Sequence, residues 1–413
     1  MAKQGEMRRG PLSGLRVLEL GHFIAAPFCT RLLADLGAEV IKAEPPGAGD
    51  PVRTWGESTN GHTAWWSAHG RNKKCISLNL KHEKGRALAR ALIEKTDIVV
   101  ENFRPGQLER FGFDIDTLKS LRPGLVLVRI SGYGQTGPES QRSSFGAIGE
   151  AVGGIRYLTG YPPGDTDMPP VRTGISFGDS MSGMYGALGA LAAIIEQRVA
   201  GVELPIRVID VALTESVLSL LEGIMPEYSV FGKVRQPYGS RLPGAAPSSA
   251  YPVNDGQFIL IGANSDPLFE KLCQIMGRPE LAKDPKFADN PSRVANVKEL
   301  DALIGQWTRT LSRGEALQQL ERADIPASKI YTAADIAADP QYQARGALVS
   351  VDDPAFDTPV LQSAAMPRFD DAAPGGGIDW PGPAVGAFND DIYGDLLGLS
   401  EGVREELRAA GAI

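Results

Sequence analysis

"LRVLELGHFIAAPFCTRLLADLGAEVIKAE", residues 15–44, decides the fold. LRVLEL at 15–20 is a strand-like apolar run, AAPFCTRLLADLG spaces its apolar residues for a helix, and AEVIKAE at 38–44 is a second strand. Strand, helix, strand opens a parallel βαβ unit, because parallel neighbours need a crossover between them. The alternation continues with a helix in KGRALARALIEK, a strand in DIVVENF, a short helical segment near 117–121 and a strand in LVLVRISGYG at 125–134. The fold class is therefore α/β, with a Rossmann-like doubly wound parallel sheet. Ligands of such sheets bind beyond the carboxyl ends of the strands, which singles out GHFIAAP, EPPGAGD, NFRPG and GYGQTGP. The first of these has Gly21 alone where a dinucleotide fingerprint needs three glycines, so a nicotinamide or flavin reading loses its support.

Outward from that unit, 413 residues are enough for two domains. From about 226 the texture changes: RQPYGSRLPGAAPSSAYP is rich in Pro, Gly and Ser and marks a crossing between domains. A smaller α/β unit follows, with a strand in QFILIGAN and a helix in DPLFEKLCQIMG; IPASKI leads back from it. APGGGIDWPGPAVG at 373–386 is a loop-rich return before a final helix at 400–409. The expected division is a large domain over 1–225, a smaller inserted domain over 226–330 and a return segment over 331–413 that completes the large one. No internal repeat is visible.

Composition removes whole classes of function. A net charge of -8 disfavours nucleic acid and anionic membrane as main partners. Cys29, Cys75 and Cys273 have neither disulfide nor metal spacing, which points to free thiols in a reducing compartment and to no metal site. MAKQGEMRRGPL lacks an apolar leader, and the greasiest stretch, around 185–195, is shorter than the roughly 18 residues of a membrane span. The reading is a cytoplasmic protein.

One carboxylate stands out. In GISFGDSMSGMYGALGALAAIIEQ, residues 174–197, Asp179 sits at the mouth of a long small-residue helix. It can cap that helix, since Asp is a favoured N-cap. It can also be a nucleophile, because the positive end of a helix favours an anion. The preceding glycine and the small Ser180, Ser182 and Gly183 leave room for a substrate to approach.

Six stretches, in order, resemble class III CoA-transferases, the CaiB/BaiF or formyl-CoA transferase family. They are PLSGLRVLELGHFIAAPFCTRLLADLGAEVIKAEPPGAGDPVR, RNKKCISLNLKHEKGR, VENFRPGQLERFGFD, ISGYGQTGP, GDSMSGMYGALGALAA and the IPASKI…DPQYQARG region, and they cover nearly the whole chain. The resemblance implies that Asp179 attacks an acyl-CoA thioester, that CoA enters as substrate with no cofactor held permanently, and that the protein is an interlocked homodimer. It also implies a CoA site lined by Ile24 and Ala25, by Leu78 to Lys81, by Asn102, Phe103, Arg104 and Arg110, and by Arg142 to Phe145. The texture around 145–154 and 239–251 is most similar to members that move CoA from succinyl-CoA to citramalate, malate, itaconate or glutarate. Arg53, Arg71 and Arg241 are then candidates for a distal carboxylate, and Arg71, Lys73, Lys74, Lys81, Arg104 and Arg110 for CoA phosphates, each set against an ordinary structural or surface role.

The chain departs from the pattern in three places. Ile24 stands where some members carry Gln, and Gly146 where formate or oxalate enzymes carry an acid, with Glu150 one turn on reading as a helix-surface acid. GSRLPGAAPSSAY at 239–251 stands in for a glycine-rich lid. Two rivals remain: an α-methylacyl-CoA racemase, which needs a histidine near Phe145, and a non-catalytic CoA-binding protein. His22, His62, His69 and His82 all lie elsewhere in the sequence, and His22 reads as hydrogen-bonded structure. Cys29 and Cys75 read as small buried hydrophobes.

Overall fold

The computed structural model describes residues 10–202, 204–369 and 377–413. The polar start at 1–9 and positions 373–376 of the return stretch lie outside them. Six strands make one parallel sheet: β1 (Arg16–Glu19), β2 (Glu39–Glu44), β3 (Lys73–Ser77), β4 (Ile98–Glu101), β5 (Val126–Ser131) and β6 (Arg207–Ala212). They lie in the order β3-β2-β1-β4-β5-β6, a doubly wound arrangement whose direction of travel reverses between β1 and β4. The loops leaving β1 and β4 therefore diverge and open a crevice at the carboxyl edge.

Strands β3 and β6 extend the sheet beyond the four strands that apolar patterning picks out. In β3 the sequence KKCIS begins with two lysines, yet Lys73 is fully buried because it finds Glu19 of β1 at 2.9 Å. Strand β6 sits at the sheet edge, where Arg207 and Val208 are exposed, so its apolar signal is diluted.

The sheet is covered on both faces. Leu18, Ile41, Ile76, Val99 and Leu127 point into one core with Leu88 and Leu92 of helix α2 (Glu83–Ile93). Val17, Val40, Val100 and Val128 point into the other, with Cys29 and Leu33 of α1 (Ala25–Asp35). Three further helices belong to the same unit: α3 (Gly146–Val152), α4 (Phe177–Ala200) and α5 (Leu213–Leu218). The chain end returns to this unit, where Asn389 and Tyr393 bond the backbone of Ser77.

Contacts divide the chain into two compact units, one of residues up to Arg156 with Thr173–Pro226 and Pro340–Ile413, the other of Tyr157–Arg172 with Glu227–Asp339. The second has an antiparallel sheet of β7 (Ser248–Pro252), β8 (Phe258–Gly262) and β9 (Ala327–Lys329), with β8 in the middle. Helix α6 (Asp266–Ile275) supplies Phe269 and Leu272 to its core. Among the described residues no helix is long and apolar enough to cross a membrane.

Candidate active site

Helix α4 owes its position to small residues. A Cβ on Gly183 would lie 2.7 Å from the carbonyl oxygen of Ala25, and one on Gly186 would lie 3.2 Å from Cys29 Sγ. The α4 backbone thus rests almost directly on α1, and the first turn of α4 is carried to the carboxyl edge of the sheet. Asp179 is the third residue of that turn; the N-cap is Ser176, so the capping role expected for Asp179 is corrected. An anion in the first turn gains about 0.3–1 kcal/mol from the helix dipole.

The carboxylate of Asp179 is half-buried against α3. A Cβ on Gly146, the first residue of α3, would lie 1.9 Å from Asp179 Oδ2 and 2.6 Å from its Cγ. The missing side chain at 146 is therefore the space the carboxylate occupies. Glu150, expected on a helix surface, is 1% exposed. Its Oε1 accepts the Gly178 N–H at 3.3 Å, one of the N–H groups that a helix start leaves without an intrahelical partner.

A turn at residues 21–23 meets the start of α3 through the rings of Phe23 and Phe145, and Phe23 adopts φ 62°, a left-handed conformation strained for a residue with a side chain. Five of the turn's backbone groups are held by side chains. Lys42 Nζ donates to Gly21 O at 3.1 Å; Asn102 accepts from the His22 N–H at 2.9 Å and donates to His22 O at 2.8 Å. Asp50 Oδ1 accepts from the Phe23 N–H at 3.0 Å, and His69 Nε2 donates to Phe23 O at 2.9 Å. Behind the turn lies a buried ion cluster. Lys42 Nζ reaches Glu19 at 2.6 Å and Asp50 at 2.8 Å, and Thr30 donates to Glu19 at 2.5 Å. Burial pushes the Glu19 and Asp50 carboxyls up, but Lys42, helped at Glu19 by Lys73, outweighs it and holds each at about 2. Burial pulls His69 down to about 3, so its ring is neutral at pH 7.

Aromatic rings continue from the turn. Phe23 meets Phe145 edge-on at 6.1 Å and Trp55 at 5.7 Å, and Trp55 meets Trp65 at 5.7 Å. Phe145 is the N-cap residue of α3, directly before Gly146, and is 69% exposed.

The other expected site residues also follow strand ends. Ile24 is buried with Val52, Trp66 and Cys75, Ala25 against α4, and Leu78 in the core with Ile76, so these three present little side chain to a ligand. Lys81 is exposed. Phe103 packs between His22 and Phe111. Exposed Arg104 is held by Ser143 Oγ at 2.6 Å and Arg110 by Gln107 at 2.7 Å, both neutral partners, whereas Arg142 pairs with Glu139 at 2.8 Å. Arg53 pairs with Glu44, Arg71 with Asp35 and Arg241 with Asp301, each through a bond of 2.7 Å or less. Lys74 pairs with Glu39 at 2.7 Å. In the 239–251 segment, residues from Ser248 onward belong to β7.

Sequence reasoning missed Lys42, Asp50 and His69 as holders of the turn. A signal existed: Glu19 and Lys42 are charges inside strands that must be buried on both faces, where an ion needs a partner.

Known proteins share this sequence and architecture. The model of "CoA-transferase family III" matches residues 12–389. A succinyl-CoA--D-citramalate CoA-transferase of Chloroflexus aurantiacus is 46% identical over 95% of both chains. The beta subunit of a succinyl-CoA--L-malate CoA-transferase from the same organism is 35% identical over 98% of both. The crystal structure of a CAIB/BAIF family protein from Brucella suis superposes with a TM-score of 0.82 at 35% identity, covering 94% of this chain and 100% of that one. The six sequence stretches, the doubly wound sheet and these matches agree: the chain belongs to CoA-transferase family III and is an enzyme of the CoA-transferase type.

Proposed function

We propose that the enzyme moves CoA from succinyl-CoA to a dicarboxylate of the citramalate, malate, itaconate or glutarate type, with Asp179 as nucleophile. The observation that carries this is the seat of Asp179: an acid in the first turn of α4, lodged where Gly146 has no side chain. The citramalate and malate relatives support the substrate class.

An Asp179 oxygen attacks the thioester carbonyl, forming a mixed anhydride and expelling CoA thiolate. The thiolate attacks the Asp179 carbonyl of that anhydride, giving an aspartyl-CoA thioester and releasing succinate. The acceptor carboxylate attacks this thioester and forms a second anhydride, and the thiolate then takes the new acyl group and frees Asp179. Each step exchanges one activated acyl bond for another, so ATP is not required. A carboxylate is a weak nucleophile and its anhydride hydrolyses readily, so the site must hold reactants close and keep bulk water out. The aromatic rings beside Gly146 support that task.

CoA lies along the carboxyl edge at Asn102, Phe103, Arg104, Arg110, Arg142 and Phe145, with Ile24, Ala25, Leu78 and Lys81 beside it. Asn102 contributes by holding the His22 backbone. The exposed guanidinium groups of Arg104 and Arg110 support contact with the phosphates. Replacing Asp179→Ala should abolish turnover and leave CoA binding intact; retained transfer from succinyl-CoA across a panel of dicarboxylates, followed by mass spectrometry, would refute the assignment.

The same reading has the 226–330 domain inserted in the large domain, and two copies interlocked in the cytoplasm. An apolar stripe on α4, with Leu188, Ile195 and Val199 more than half exposed, supports a partner surface. Light scattering on dilution should show no folded monomer; its appearance would contradict the interlock.

A further inference from the structure

The structure assigns Asp50 and Lys42 a task outside the covalent chemistry: they hold the strained 21–23 turn in shape and, through it, set Phe23 against the wall of the Asp179 site. The assignment rests on the acyl-transfer reading above, and it makes Asp50 a positioning residue.

Glu19, Lys42, Asp50 and Lys73 are all 0% exposed. A buried ion cluster is weak evidence for stability, because well-packed apolar side chains of the same volume usually serve as well. The cluster needs another reason to exist, and its bonds supply one. Asp50 uses Oδ2 for Lys42 at 2.8 Å and Oδ1 for the N–H groups of Phe23 and Val52, both at 3.0 Å. Lys42 also donates to Gly21 O. Both ends of the turn are thus tied to a single ion pair, and that tie, together with Asn102 on His22 and His69 on Phe23 O, keeps Phe23 at φ 62°. Residues persist in such conformations only when their surroundings over-determine them, and they concentrate at functional sites.

What the turn sets is local to Asp179. The Phe23 ring meets Phe145 edge-on, and Phe145 precedes the glycine against which the Asp179 carboxylate lies. Helix α1 starts at Ala25, and Ala25 O is the contact that seats α4 at Gly183. A relaxed turn would move both the ring and the helix that carries the nucleophile.

The test is a double-mutant cycle on the full-length enzyme with succinyl-CoA and citramalate. Phe23→Ala keeps the backbone ties and removes the ring; Asp50→Asn keeps the Oδ1 acceptor and removes the charge on which Lys42 depends. Each should lower kcat by about 10–100-fold, the scale of a roughly 1 Å misplacement, with a smaller change in KM for succinyl-CoA. The double variant should be no slower than the slower single one, because the ring removed by Phe23→Ala is one of the two things that a relaxed turn displaces. Multiplying losses, or a wild-type kcat in Phe23→Ala, would overturn the inference. If Asp50→Asn does not fold, Asp50→Glu, which keeps the charge beside Lys42 but shifts the acceptor of the Phe23 N–H, takes its place in the cycle with Phe23→Ala. A wild-type enzyme that transfers CoA from succinyl-CoA to none of citramalate, malate, itaconate and glutarate refutes the proposed substrate class and this inference with it, whereas an active wild type with an equally active Phe23→Ala refutes the inference alone.

Discussion

Gly146→Ala is the smallest change that tests the seat of the nucleophile. The added methyl would sit 1.9 Å from Asp179 Oδ2, whereas ordinary contact begins at 3.4 Å, so the carboxylate must give way by about 1.5 Å. A displacement near 1 Å in a reacting group costs about 100-fold, or about 2.7 kcal/mol of barrier. Stability should move the other way. Gly146, the first residue of α3, has no left-handed φ, and there Ala keeps part of the about 1 kcal/mol that it holds over Gly in a helix interior and so offsets the cost of moving the carboxylate. The expected result is an enzyme with an unchanged or slightly raised melting temperature and a kcat lowered at least about 100-fold. Coupled measurements of citramalyl-CoA formation and thermal unfolding read both quantities on one preparation. A Gly146→Ala enzyme that turns over at the wild-type rate would refute the claim that the glycine makes room for Asp179. One that loses activity only because it unfolds would refute the reasoning as well.

The buried charges give two further expected outcomes. The ordinary values of Glu19 and Asp50, 4.5 and 3.8, are depressed to about 2 in the fold, so the unfolded chain binds more protons between these limits. Their stabilisation is complete above about pH 4.5 and is lost as pH falls towards 2, so the urea midpoint should drop across that window; a flat midpoint would show that the lysines do not hold these groups ionised. Arg71 donates through Nε and Nη2 to Asp35 at 3.0 and 2.6 Å and through Nη1 to Ser363 O at 2.6 Å. Arg71→Met should destabilise the fold by about 3 kcal/mol, since it leaves the buried Asp35 carboxylate only the Asn72 amide at 2.9 Å and Arg31 at 4.0 Å, with KM for the acceptor acid unchanged. A raised acceptor KM at constant stability would instead make Arg71 a substrate contact.

Much of the sheet is legible in the sequence because β1, β2, β4 and β5 are short apolar runs divided by helical periodicity. What is hidden depends on partners distant along the chain. Lys73 reads as a surface residue until Glu19 is placed beside it, and Glu150 reads as solvated until the Gly178 N–H needs an acceptor. The start of α4 is ambiguous for a different reason: Ser176, Asp179 and Ser180 are all residues that cap helices, and only the backbone shows that Ser176 takes the N-cap position, which it does without a side-chain capping bond. Likewise Gly146 announces empty space in the sequence but not the fact that Asp179 fills it.

The distribution of charge bears on how the site tells one acid from another. Arg53, Arg71 and Arg241 are each committed to a carboxylate of the protein, and Arg53 also donates to Pro383 O. A guanidinium already forked onto a carboxylate has little left to offer a second one. Arg104 and Arg110 differ, since Ser143 and Gln107 hold them without neutralising them, and both are exposed on the segment after β4. Their charge can meet an incoming anion at small reorganisation cost, and CoA brings several phosphate charges where a dicarboxylate brings one spare carboxylate. The free positive charge therefore suits the nucleotide end of the thioester. On the acyl-transfer reading, discrimination among acceptor acids then falls to shape at Asp179, where Gly146 leaves room for the carboxylate and the preceding Phe145 packs on Phe23.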